Sequence, residues 1–161
     1  VAICISLIMA TSAIFVDKLT FTLPLLIKNW GTAFLVISLT GMAFPLTDWS
    51  FALGRKMGLR PETLPHVLVE NFVATLFFNT TATIVLTAVN VFHNPEIEAA
   101  VAAGFLPNTL TAFVQGVLHD WPIMFIISYV FAFFVTKAAI RIAKQAVGEL
   151  KSPHSPQNQF Q

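Results

Sequence analysis

Six polar residues recur along one apolar stretch of this 161-residue chain: Asn71, Thr75, Asn79, Thr83, Thr87 and Asn90. Steps of four residues turn an α-helix by about 400°, so these side chains follow one slowly winding face. Asn79 falls near the middle of the stretch, and an amide in hydrocarbon needs partners on another helix or in a wet cavity. Two chemistries fit. The stripe either lines a path for a solute or supplies hydrogen bonds between helices, each contributing about 0.6 kcal/mol and rarely more than about 1.7 kcal/mol. Ser6, Thr11 and Ser12 in one neighbouring apolar stretch, and Ser38 and Thr40 in another, are the expected partners.

The ionisable groups sit near the ends of such stretches. His66 and Glu70 are four residues apart and share a helix face. A carboxylate beside a histidine inside a membrane can couple solute movement to protons. The same pair at a helix end can instead reach back to lipid headgroups. Asp48 is expected to pair with Arg55 or Arg60 as a clamp at the inner edge, and His119-Asp120 precedes Trp121 at the outer edge. No HExxH spacing, Ser/His pair or set of paired acids falls at bilayer depth, so the chain reads as a non-enzyme without metal or cofactor. The single cysteine, Cys4, excludes an internal disulfide and a cysteine-based metal cluster.

The elements that must position these groups follow from composition. Apolar residues make up 56% of the chain, charged residues 11%, and mean hydropathy is +0.76. A water-facing domain carries about 25% charged residues. The 16 Phe also suit helices facing lipid, and a net charge of +1 without a basic stripe gives no case for nucleic acid. Four apolar stretches, 1–16, 29–47, 67–92 and 121–143, predict an all-α integral membrane four-helix bundle. The first is short of a full crossing and begins at Val, so a longer helix is expected upstream. A signal peptide with Ala10-Thr11-Ser12-Ala13 as its cleavage site is the rival reading, but the positive n-region is absent.

Orientation follows from the basic residues. Arg55, Lys56 and Arg60 follow the second helix, and Lys137, Arg141, Lys144 and Lys151 follow the fourth, leaving only Lys18 and Lys28 elsewhere. Basic residues near helix ends stay cytoplasmic, which places both termini inside, with Trp30 and Trp121 at the outer headgroups and Trp49 at the inner ones. A segment from Leu19 to Lys28 is expected to approach the second helix. Pro95 to Phe105 reads as a short outer helix with Glu96 and Glu98 in its first turn. Thr109 to His119 reads as an interfacial segment, and Pro45 as a bend in the second helix. Gly31, Ser38 and Pro45 recur every seven residues and predict a thin face for helix packing.

The chain also echoes itself. Asn29-Trp30-Gly31-Thr32-Ala33-Phe34 is matched by Asp120-Trp121-Pro122-Ile123-Met124-Phe125, and Ala10-Thr11-Ser12-Ala13 by Asn79-Thr80-Thr81-Ala82. This predicts two parallel-related two-helix repeats. The first occupies residues 1–65 with a basic cytoplasmic loop, and the second occupies 66–150 with an outer interfacial helix. A disordered polar tail covers 151–161.

On Ile5-Ser6-Leu7-Ile8-Met9, Phe44-Pro45-Leu46-Thr47-Asp48-Trp49 and Gly54-Arg55-Lys56-Met57, the first half resembles a bacterial family of small membrane proteins of tandem two-helix units, a domain-of-unknown-function family. Gly104-Phe105-Leu106, Asp120-Trp121-Pro122 and Phe133-Phe134-Val135 carry the likeness through the second half, covering roughly residues 5 to 145. The chain is more loosely similar to bacterial L-alanine exporters, which are also small four-helix proteins with a Pro-containing end to the second helix. The first resemblance implies a bacterial inner-membrane protein of four helices.

Two functions remain open at this level. One is a small-solute transporter or exporter with a path along the third helix, assembled as a homo-oligomer because four helices enclose little volume. The other is a non-catalytic accessory or structural subunit of a larger membrane complex, held through Phe-rich faces.

Overall fold

The structure, a computed structural model, describes residues 2–16, 20–61, 63–92 and 94–146. The described residues form six helices: α1 (Ala2–Val16), α2 (Leu23–Ala43), α3 (Leu46–Lys56), α4 (Leu64–Val91), α5 (Pro95–Ala102) and α6 (Thr109–Ala146). Lys18 and the polar tail 151–161 lie outside the described residues.

Three helices are long and apolar enough to cross a membrane: α2, α4, and α6 over Thr109–Ala139. They mark the chain as a membrane protein. At 1.5 Å per residue, α2 with 21 residues and α4 with 28 residues reach about 32 and 42 Å, against a hydrocarbon core of about 30 Å. α1 has 15 residues and reaches only about 22 Å.

The helix boundaries differ from the sequence expectation in informative ways. The second helix begins at Leu23 rather than residue 29, because the Thr22 hydroxyl accepts from the Leu25 N–H and Pro24 occupies the first turn. The expected approach segment is therefore largely helix. At the other end Pro45 does not bend the helix but ends it. Phe44 is extended, α2 stops at Ala43, and the residues expected to form a basic loop make α3, with Asp48 in its first turn and Arg55 and Lys56 in its last. That charge order matches the helix dipole.

The expected interfacial segment Thr109–His119 and the fourth helix are one continuous helix, α6, of 38 residues. Pro122 lies inside it and removes only the N–H that would serve Leu118. Between α4 and α6, α5 forms as expected. Asn94 caps it by accepting from the Glu96 N–H, and Gly104 at φ 78° turns the chain out of it.

The long helices run antiparallel to their neighbours. α1 packs on α2 and α6, and α4 packs on the same two. The core between them is Met9, Ala13, Ala33, Ile37, Ala82, Leu86 and Met124. On α2 the buried face is Asn29, Ala33, Ile37 and Thr40, not the predicted Gly31, Ser38, Pro45 stripe. Gly31 and Pro45 are exposed, and a Cβ at Gly31 would meet nothing within 4 Å. The outer surface carries many large apolar side chains, among them Phe15, Leu35, Ile126 and Phe134, which lipid can solvate.

Candidate functional site

The stripe on α4 faces inward. Asn71, Thr75, Asn79, Thr83 and Thr87 are all buried, and Asn90 is half-buried. Asn79 has no exposed surface. Its partners lie on α6, not on α1 or α2 as the sequence suggested. The Asn79 Nδ2 donates to the Trp121 carbonyl at 3.2 Å, and the Ser128 hydroxyl lies 3.3 Å from Oδ1. That hydroxyl has one proton and sits only 2.6 Å from the Met124 carbonyl, so the amide oxygen keeps acceptor capacity. Two turns toward α3, Asn71 donates to the Tyr129 carbonyl at 2.9 Å.

Trp121 and Trp30 each direct the indole N–H inward. Trp121 donates to the Thr80 hydroxyl at 2.9 Å, and Trp30 to the Ser6 hydroxyl at 3.1 Å. Both follow a buried polar residue, Asp120 and Asn29. Beside the α4–α6 seam, Trp121, Phe125 and Tyr129 stack at four-residue steps, and Phe72 meets the last two edge-on. Of the partners proposed on α2, Thr40 reaches the stripe's flank by bonding the Thr81 hydroxyl at 3.0 Å.

Cavities follow the stripe in series. At the α3 end, a cavity of about 590 Å³ is lined by Asp48, Glu70, Asn71 and the rings of Phe44, Phe78 and Phe133. It shares Asn71, Ala74, Phe78 and Thr136 with a smaller space of about 70 Å³ that reaches Thr75, Asn79 and Ser128. At the α5 end, a cavity of about 530 Å³ is lined by Asn90, Glu96, His119 and Asp120. It shares Thr87 and Asp120 with a space of about 10 Å³ beside Thr83 and Met124. One helical turn, from Asn79 to Thr83 on α4 and from Ser128 to Met124 on α6, separates the two halves. The side chains of Met9 and Met124, each 1% exposed, pack at that level.

Two buried hydroxyls on the stripe lack the bond that threonines elsewhere in the helices make. Thr11, Thr32, Thr80 and Thr81 each return their proton to the carbonyl four residues earlier. Thr75 and Thr83 are 4% and 3% exposed, have no partner, and line the two small spaces.

The ionisable groups are placed as follows. His66 is buried at 1% exposure, with Nδ1 3.8 Å from Glu70 Oε1 and Nε2 without a partner. Its ring lies under α3, 4.8 Å from the Phe51 ring and against Gly54, which the sequence did not foresee. Glu70 is half-buried and opens into the larger cavity. Asp48 opens into the same cavity and pairs with neither Arg55 nor Arg60. The expected inner-edge clamp is not formed, because α3 sends its basic residues to the helix end away from Asp48. His119 and Asp120 contact each other at 2.8 Å.

The fold therefore defines a helical membrane protein with a polar seam. Compared with known proteins, the chain matches no family model, no curated protein and no solved structure.

Proposed function

We propose that this chain is a small-solute transporter of a bacterial inner membrane, and that its path follows the polar face of α4. The observation that carries the reading is the series of cavities along that face. Two wide spaces at opposite ends narrow toward one polar turn at Asn79, an arrangement that packing alone does not require. Helices meeting only to exclude lipid would fill such gaps, since protein interiors are close-packed. An intramembrane amide that keeps a free acceptor beside a cavity is a binding group.

In this reading α1, α2, α4 and α6 form a four-helix bundle of two parallel-related hairpins. The matched geometry of Trp30 with Ser6 and Trp121 with Thr80 supports the duplication, with Asn29 and Asp120 in corresponding places. The basic ends of α3 and α6 face the cytoplasm, and both termini lie on that side. Glu70, backed by His66, is the carboxylate at which proton movement couples to solute movement. Because so few helices surround the path, the working unit is a homo-oligomer.

Proteoliposomes containing the purified protein should swell in isosmotic tetramethylammonium chloride, glycine or glycerol faster than empty liposomes. Asn79→Leu should abolish the increment while leaving the helical circular-dichroism spectrum intact. Swelling equal in the variant and the parent would end the path reading. Co-purification with a second protein at fixed stoichiometry, with no flux, would replace it with that of an accessory subunit.

A further inference from the structure

The two wide cavities share a chemical bias that names a class of solute. Each has two carboxylates in its wall, Asp48 and Glu70 at one end and Glu96 and Asp120 at the other. Among the described residues, no Lys or Arg lines either cavity or the small spaces between them. Lys137, on the same stretch of α6 as Phe133 and Thr136, is held with Nζ 4.2 Å from the Phe133 ring centroid. The N-terminus of α3 also opens into the first cavity. Asp48 in its first turn already supplies the negative charge that such an end favours, so it is not left for an anion.

Acids at a mouth are common on protein surfaces and would say little alone. The independent observation lies deeper. Thr75 and Thr83 are buried, decline the usual bond to their own helix, and line the small spaces on either side of the Asn79 turn. A buried hydroxyl without a partner costs about 1–3 kcal/mol, a cost that a guest bonding to it would relieve. Together with the Asn79 amide oxygen they give acceptors along the route, with no fixed positive charge among the described residues that line it. The first cavity adds three aromatic rings, Phe44, Phe78 and Phe133; the Phe133 ring already holds the Lys137 ammonium on one face, which leaves Phe44 and Phe78 to attract a cation from the cavity. Its volume of about 590 Å³ falls within the range of about 300–1,000 Å³ usual for small-molecule sites.

We infer that the solute is a small organic cation, an ammonium compound with an apolar body, and that it first seats in the cavity between Glu70, Asp48 and the three phenylalanines. The inference rests on the path reading above and adds to it the charge and shape of what is carried. Carboxylates supply the attraction, aromatic rings hold the apolar body, and the hydroxyls and amide beyond them receive the head group as it moves inward.

The test uses benzyltrimethylammonium as the probe and benzoate as its anionic counterpart, titrated calorimetrically into the full chain in an uncharged detergent. Saturable binding of the cation and none of benzoate is expected, with Glu70→Gln and Asp48→Asn together weakening the cation about tenfold. Both substitutions keep side-chain shape at partly or fully exposed positions, so folding is retained. Benzoate binding as tightly as the cation, absence of cation binding, or unchanged affinity in the double variant would each overturn the inference. The path reading has a separate readout: flux of the same cation into proteoliposomes with and without Asn79→Leu. Binding that survives with flux indifferent to Asn79 would keep the cation site and remove the path.

Discussion

At the residue scale, the most informative side chain outside the α4 stripe is Asn29. It has no exposed surface, and neither its amide nitrogen nor its oxygen has a partner. Leaving a buried polar group unpaired costs about 1–3 kcal/mol, whereas replacing it by an apolar group of similar shape removes that cost. Asn29→Leu is therefore expected to raise the stability of the detergent-solubilised protein by about 1–3 kcal/mol, read as a higher thermal midpoint. A lower midpoint would mean that the amide has a partner in the bilayer, such as a second copy. The asymmetry with Asn79 explains what sequence made legible at this scale. Amides and hydroxyls spaced by four in an apolar run announce a shared face, and the structure buries that face. Their partners were not legible, because Ser128 stands alone among aromatic and aliphatic residues and nothing in its neighbourhood distinguishes it. The acceptor for Asn79 is a backbone carbonyl, that of Trp121, and a carbonyl leaves no trace in the residue type.

At the element scale, α3 packs on α4 through Trp49 against Phe77 and Phe51 against His66, and comes closest at Gly54. A Cβ added at Gly54 would lie 2.7 Å from Cδ2 of the His66 ring, and that ring is buried against Phe51 with little room to move. Gly54→Ala is thus expected to destabilise the protein by about 1–3 kcal/mol through overpacking. The loss should shrink in a His66→Ala background, because residues in contact are not additive. Equal losses in both backgrounds, measured by thermal unfolding, would show that α3 does not dock through this contact. The helical type of the apolar elements followed from hydropathy, but their ends and the length of α6 did not. Lys28 and Asn29 suggested that the second helix starts late. Thr22 and Pro24 carry the true start signal, and the lysine simply lies on an exposed face one turn inside. The seven-residue recurrence of Gly31, Ser38 and Pro45 was real as a pattern and wrong as a packing face. What decides burial on α2 is where Ala33, Ile37 and Thr40 meet α1 and α4.

At the scale of the whole molecule, lipid acts as the solvent, and chain direction then follows from helix length. α4 is about 42 Å long by its 28 residues, enough to carry the turn at Gly58 before it and the turn at Gly104 beyond it to opposite sides of a core of about 30 Å. α6, at about 57 Å for 38 residues, exceeds that core and carries Lys137 and Arg141 toward its end, on the same side as Arg55 and Lys56 of α3. Cys4 is the only thiol, so a Cys4→Ser background leaves a clean field for placing new ones. Gly58→Cys and Gly104→Cys occupy open turns where a side chain meets nothing within 4 Å, although their positive φ adds modest backbone strain. With the proposed orientation, in which the basic end of α3 faces the cytoplasm of a bacterial cell, a membrane-impermeant maleimide should label Gly58→Cys and spare Gly104→Cys in sealed inside-out vesicles; in intact spheroplasts the preference should reverse. Labelling of both from one side would mean that α4 does not cross. The alternating cavities would then open to the same compartment, and no route between compartments would remain for a cation or any other solute.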